Sequence, residues 1–257
     1  MRAVILAGGL GTRLAPYTTI VPKPLMPIGN RPILEIIICQ LRNHGFTEMT
    51  LAIGYLSHLL CAYFDDGYRF GVTIDYSYEE KPLGTAGPLT LLPDFNEPVL
   101  VMNADVLTDI NYSDLYNFHC KNEAAVTIAM YNKEVKIDFG VLKLDAASEV
   151  QEYIEKPTYS YLVSTGIYIV SPEVIARLPK GERIDFPDLV RMLLAEGQKV
   201  IGYTFNGEWL DIGRPDDCGR ALEMVKSLDT SLPEMIPTPR FSLNVKSPEM
   251  VSNRSNG

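Results

Sequence analysis

Hydrophobic positions along this chain alternate between two periods. Ala3-Val-Ile-Leu-Ala7 is a short unbroken apolar run closed by Gly8-Gly9, the pattern of a strand buried on both faces. From Asn30 the period becomes helical: Ile33, Ile36, Ile37 and Leu41 share one face, with Asn30 as N-cap, Pro32 near the first turn and Gly45 placed to close the helix. The alternation continues with a strand over Met49–Ile53, a helix over Ser57–Phe64, strands over Val72–Tyr76 and Val99–Met102, and a helix over Ser113–Cys120. Right-handed crossovers between such units give an open, mostly parallel sheet flanked by helices, with ligands held beyond the carboxyl ends of its strands. Gly8 and Asp105 both fall at such ends. Downstream, Ala125–Tyr131, Gly140–Leu144 and Gly166–Val170 are strand-like with shorter connections, which predicts a mixed extension of the sheet forming the second wall of a cleft. Phe186–Glu196 reads as a helix and Val200–Phe205 as a further strand. Residues 1–227 therefore read as a single α/β domain. Residues 228–257 shift to Ser, Pro, Asn and Met, predicting a poorly ordered or peripheral tail.

Composition narrows the partners. With 46% hydrophobic residues the chain can bury a large core, and its net charge of -9 argues against gripping nucleic acid, so any anionic ligand must be held by local cations. Cys39, Cys61, Cys120 and Cys218 are far apart, with no C-x-x-C pair, which points away from a disulfide framework and toward a reducing cytoplasm. No apolar run reaches membrane-spanning length and the first strand is too short for a signal-peptide core, so a soluble, intracellular protein without a membrane partner is expected. His44, His58 and His119 have no catalytic spacing and read as surface or helix-end residues.

Local cations are found around the first glycines. In Leu6-Ala-Gly-Gly-Leu-Gly-Thr-Arg-Leu14 the glycines let backbone N–H groups approach phosphate oxygens. The segment has no Walker A lysine, and the G-x-G-x-x-G fingerprint breaks because Leu14 stands where the third glycine belongs. Arg13 follows Gly11 closely, and Lys23 is stiffened between Pro22 and Pro24. A guanidinium fork and a compact ammonium converging on a glycine loop suit a polyphosphate.

These residues resemble the signature of the sugar-1-phosphate nucleotidyltransferases, also called nucleotide-sugar pyrophosphorylases. Further segments match in the family's order: Pro82-Leu-Gly-Thr-Ala-Gly87, Asn103-Ala-Asp-Val-Leu-Thr-Asp109, Phe139-Gly-Val141, Glu155-Lys-Pro157, Ser164-Thr-Gly166 and Trp209-Leu-Asp-Ile-Gly-Arg-Pro215. The resemblance implies the Rossmann-like nucleotide-diphospho-sugar transferase fold and a set of roles. Leu6, Ala7, Gly8, Gly9, Gly11, Thr12 and Arg13 would bind the nucleotide, with Pro82, Gly84 and Gly87 over its base. Asn103, Gly140, Glu155, Lys156, Thr165 and Gly166 would bind the sugar phosphate. Arg13 and Lys23 would be catalytic, and Asp105 and Asp211 would hold Mg²⁺, a hard cation suited to two carboxylates completed by water and phosphate oxygens. Asp109 is read instead as the cap of the helix near Ser113, and Glu79 and Glu80 as solvated.

The implied reaction joins an NTP to a sugar 1-phosphate and releases pyrophosphate. The loop from Glu80 to Pro88 is closest in style to the GDP-mannose pyrophosphorylases, which points to GTP with mannose 1-phosphate or a manno-heptose 1-phosphate. Ser164-Thr-Gly166 departs from the Asn-Ala-Gly usual in mannose enzymes, and the sequence carries no hexapeptide-repeat β-helix. Both features keep open UTP, dTTP or CTP with glucose 1-phosphate or a related sugar, as in short members of the family. The broken fingerprint counts against a nicotinamide oxidoreductase, and the joint presence of Arg13, Lys23, Asp105, Lys156 and Asp211 counts against a silent nucleotide-sugar-binding regulator. A homo-oligomer is common in the family.

Overall fold

A computed structural model describes residues 1–214 and 216–228, so the tail predicted from 228 onward lies almost wholly outside the described residues. The central strand β1 (Arg2–Leu6) forms where expected, because its side chains alternate between two apolar layers: Ala3 and Ile5 enter one core cluster and Val4 the other. After it come a two-residue hairpin of β2 (Pro27–Ile28) and β3 (Arg31–Pro32), then α1 (Ile33–Asn43), β4 (Glu48–Ile53), α2 (Ser57–Phe64) and β5 (Thr73–Tyr78). Then follow β6 (Val99–Asn103), β7 (Val106–Thr108), α3 (Tyr112–Asn122), β8 (Val126–Lys136), β9 (Val141–Leu144), β10 (Val150–Ile154) and β11 (Thr158–Val170). The described chain closes with α4 (Pro172–Ala176), α5 (Phe186–Ala195), β12 (Val200–Thr204), β13 (Trp209–Asp211) and α6 (Asp217–Leu228).

The seven-stranded sheet has the order β12-β8-β11-β6-β1-β4-β5. Every neighbouring pair is parallel except those of β11, which runs against both β6 and β8. This is the mixed, mostly parallel sheet that the sequence predicts, except that the strand expected over Gly140–Leu144 does not join it: β9 pairs with β10 in a separate two-stranded ladder. The reversal brings the beginning of a strand to the carboxyl end of its neighbour. With Ile167 opposite Met102, the preceding Gly166 comes beside Asn103. A separate pairing has the same effect for β13: Asp211 lies opposite Val106, and the Ile212 N–H donates to the Asp105 carbonyl at 3.0 Å. The short β7–β13 ladder therefore sets Asp105 and Asp211 side by side.

Three expectations are corrected by local chemistry. Asn30 does not cap α1: with Gly29, at φ 65°, it makes the two-residue turn between β2 and β3, and Pro32 occupies the N-cap. Asp109 does not cap α3. Asn111 does, accepting from the Asp114 N–H, while the Asp109 carboxylate accepts from the Glu208 N–H at 2.8 Å and ties β7 to the start of β13. His119 is a helix-end residue, in the last turn of α3, but not a surface one. It is buried on α3, with Nδ1 2.8 Å from the Thr127 hydroxyl and Nε2 3.1 Å from that of Ser171.

Burial lowers the His119 pKa from the usual 6.5 to about 4. The folded protein holds this ring neutral while the unfolded chain protonates it, so its contribution is intact above about pH 6.5 and is lost as pH falls toward 4. The full shift corresponds to roughly 3 kcal/mol. Melting temperature should fall over this window, and a His119→Gln variant should lose that part of the slope. An unchanged slope would show that His119 does not couple folding to protons.

Candidate active site

The glycine loop leaves β1 between the ends of two parallel neighbours: the Ala7 N–H donates to the Ala52 carbonyl at 2.8 Å, and the Leu6 carbonyl accepts from Ala104 at 3.1 Å. Beyond it, nothing comes within 4 Å of a Cβ built on Gly9, so that backbone is open to a ligand. Gly11 has φ 63°, and a side chain there would meet Thr18 Cγ2 at 2.9 Å. Buried Leu14 anchors the following turn and leaves Arg13 facing outward. Lys23 sits at the head of another tight turn, in which the Leu25 N–H bonds the Pro22 carbonyl at 2.8 Å.

These loops converge on the two carboxylates. Lys23 Nζ forms an ion pair with Asp105 Oδ2, and the side chains are only 11% and 21% exposed. Arg13 reaches Asp211 at 3.9 Å. Burial, and after it the charge of Asp105, raises the Asp211 carboxyl above the usual aspartate range, with Lys23 and Arg13 opposing. Asp105 Oδ1 is buried and accepts no hydrogen bond among the described residues. Two facing carboxylates, one with an orphaned buried oxygen, fit a hard divalent cation that takes its remaining ligands from water and phosphate.

Two cavities meet at this cluster. One, of about 290 Å³, is lined by Leu6, Ala7, Gly9, Gly11, Thr12, Arg13, Lys23 and Asp105. The second, of about 650 Å³, shares Leu6, Gly9 and Asp105 with it and extends over Gly8, Glu79, Pro82, Gly84, Asn103 and Asp185. Gly87 lies beneath this second cleft instead of lining it, packed against the Glu182 carbonyl and Leu83.

The loop over the larger cleft is stapled to the start of α5. Thr85 N–H donates to Asp185 Oδ1 at 3.0 Å, Phe186 N–H donates to the Thr85 hydroxyl at 2.8 Å, and Ala86 and Gly87 both donate to the Ile184 carbonyl. Gly84 has φ 80°, and a Cβ there would lie 2.6 Å from the Ile184 carbonyl oxygen. Gly84→Ala is therefore expected to cost more than about 2 kcal/mol through left-handed strain and that collision. A denaturant titration within error of the unsubstituted protein would contradict it.

Glu79, read from the sequence as solvated, is half-buried in this cleft. Its Oε2 accepts from the Leu83 N–H at 3.0 Å, and its Oε1 occupies the space that a Gly8 side chain would need, 2.6 Å from a built Cβ. Burial raises its carboxyl above the usual glutamate range. The available signal was the combination of a bare Gly8 and an acidic residue just before Pro82-Leu-Gly84.

The predicted sugar-side residues divide into two groups. Asn103 lines the cleft, and a Cβ on Gly166 would strike its amide at 2.6 Å, so these two are in contact. Thr165 between them and the sheet turns inward: its hydroxyl donates to the Ala129 carbonyl at 2.8 Å, and its own carbonyl accepts from the Trp209 indole. Gly140, Glu155 and Lys156 belong to the β9–β10 hairpin and its exit, and line neither cavity. Gly140 packs against the Tyr153 ring, whose hydroxyl donates to Glu155 at 2.8 Å, and Lys156 is held at φ 45°.

The sheet order and the strand-end site define an open-sheet α/β protein with the nucleotide-diphospho-sugar transferase fold. The chain belongs to the Nucleotidyl transferase family, whose profile matches residues 2–227. It is 34% identical over 247 residues to a UTP–glucose-1-phosphate uridylyltransferase of Synechocystis sp., covering 88% of this chain and 64% of that one. It is 37% identical over 225 residues to mannose-1-phosphate guanyltransferase beta-B of Xenopus laevis, covering 84% and 62%. The chain thus spans a little over three-fifths of the length of these relatives. A crystal structure of a Bacillus anthracis protein described as a glucose-1-phosphate thymidylyltransferase, with sucrose, superposes with a TM-score of 0.71 at 23% identity, covering 88% of this chain and 96% of the other. Among the described residues no helix is long and apolar enough to cross a membrane.

Proposed function

We propose that this protein is a sugar-1-phosphate nucleotidyltransferase, using GTP with mannose 1-phosphate or a manno-configured heptose 1-phosphate. The observation that carries the reading is the convergence of Arg13, Lys23, Asp105 and Asp211 on the open backbone of the glycine loop. A sugar phosphate oxygen attacks the α-phosphorus in line, a new P–O bond forms, the α–β bridging bond breaks, and pyrophosphate leaves with its electrons. The protein supplies no nucleophile. It aligns two mutually repelling anions and stabilises the charge that develops on the leaving group, Arg13 and the loop amides from one side and Lys23 from the other. Mg²⁺, held by Asp105 and Asp211, would supply Lewis-acid neutralisation of the phosphates.

Guanine is favoured by Glu79 and by the guanyltransferase relative. A carboxylate accepts from two adjacent donors, which guanine presents at N1–H and N2–H, whereas uracil presents one N–H between two carbonyls. Four separated free cysteines fit a reducing cytoplasm. Pyrophosphate release over a panel of NTPs and sugar 1-phosphates, with and without Mg²⁺, tests the reading. GTP with a manno-configured sugar should give the highest kcat/KM. Preference for UTP or dTTP would overturn the base assignment, and no release with any pair would overturn the transferase.

A further inference from the structure

A third cavity adjoins the site on the side away from the nucleobase cleft. It measures about 820 Å³ and is lined by Arg13, Lys133, Trp209, Arg214 and Arg220 among others. Four cations thus line one cavity of a chain whose net charge is -9. Arg214 and Arg220 form no ion pair among the described residues, and the Lys133 ammonium lies 5.8 Å from the centroid of the Trp209 indole. The cavity also contains Glu134, Asp211 and Asp217. Two of these carboxylates are already engaged: Asp217 accepts from the Gly213 and Arg214 N–H groups at 3.0 and 2.8 Å, and Asp211 faces Arg13.

The three cavities are arranged in series. The nucleobase cleft and the loop cavity share Asp105, while the loop cavity and the basic cavity share Arg13 and Gly213. A Cβ on Gly213 would come within 3.0 Å of Arg13 Nη1, so the bare glycine gives the guanidinium room where the two cavities join. On the proposed function, a triphosphate with its base over Gly84 and its α-phosphate at Asp105 would direct its far end toward Arg13.

We infer that the basic cavity receives the leaving pyrophosphate, with Arg13 passing it to Arg214 and Arg220. Guanidinium forks suit this anion because each can bridge two oxygens on neighbouring phosphates. The inference rests on the transferase reading for its direction of traffic, but the site itself is a claim about pyrophosphate and is tested directly.

The test is isothermal calorimetry of inorganic pyrophosphate, at fixed salt and without nucleotide, on the full chain and on R214A/R220A. The exposed surface variant R177A serves as a charge control, with orthophosphate and GTP as comparison ligands. Pyrophosphate affinity should fall at least tenfold in R214A/R220A and less than twofold in R177A, while GTP affinity changes less than threefold. R220Q alone, which removes one guanidinium but keeps a polar side chain and leaves Arg214 in place, should give an intermediate loss. Pyrophosphate affinity unchanged in R214A/R220A, or a loss matched by R177A or by orthophosphate, would overturn the inference. Because the measurement needs no turnover, it decides this site even if the substrate panel shows no transfer.

Discussion

Lys23→Ala should lower turnover by about 10²- to 10³-fold, or roughly 3 to 4 kcal/mol of transition-state stabilisation, and leave the fold in place. The reason lies in what Lys23 touches. Its ammonium is the cation paired with Asp105, in a site where both side chains are largely shielded from water. Water screens such a pair less than it would a surface pair, whose contribution to folding seldom exceeds about 1 kcal/mol. Removing the ammonium leaves the shielded Asp105 carboxylate without its cation, so the melting temperature should fall as well, by more than a surface pair would give. Lys23→Arg keeps the charge but not the compact geometry, and should recover only part of the activity. Steady-state kinetics with GTP and mannose 1-phosphate, paired with a thermal melt, measures both quantities. Near-normal kcat in a folded Lys23→Ala protein would remove Lys23 from the mechanism.

Glu79→Gln should change which base is used more than how fast the enzyme works. The substitution preserves the length of the side chain and an oxygen for the Leu83 N–H, but replaces one acceptor with a donor. Hydrogen bonds to charged groups are worth about 1.5 to 3 kcal/mol, so the ratio of kcat/KM for GTP over UTP should fall by about 10- to 100-fold. Part of that change should come from improved use of UTP, because an amide can match an N–H beside a carbonyl. Competition between the two nucleotides at fixed sugar 1-phosphate reads the ratio directly. A ratio that stays within a factor of two would separate Glu79 from base selection.

Most of the sheet was legible because its strands are buried on both faces. Runs such as Ala3–Ala7 and Val99–Met102 have few alternatives once Gly8 and Asn103 end them. The glycine loop with Arg13 and Lys23 followed from residue types that suit a polyphosphate, whereas the pairing of Asp105 with Asp211 was implied by the family resemblance. What the sequence hid depended on partners distant in the chain. The two-residue hairpin at Gly29–Asn30 competed successfully for Asn30, and β7 and β13 are too short to show a period. The burial of His119, read as a surface or helix-end residue, was hidden because its partners, Thr127 and Ser171, lie later in the chain. Glu79 looked solvated for the same reason: the space its carboxylate fills is left by the missing side chain of Gly8, far earlier in the chain.

The staple between Thr85 and Asp185 makes the cleft proposed for the nucleobase a product of two stretches of chain separated by a hundred positions. Base preference should therefore not travel with the 79–87 loop alone. A chimera that imports a relative's loop would place it against a foreign Ile184 carbonyl and a foreign Asp185, and one that imports both stretches together should keep the donor's nucleotide. In evolutionary terms the two segments should drift as a pair, so a mismatch between them in a newly sequenced homologue would mark a cleft in transition between bases.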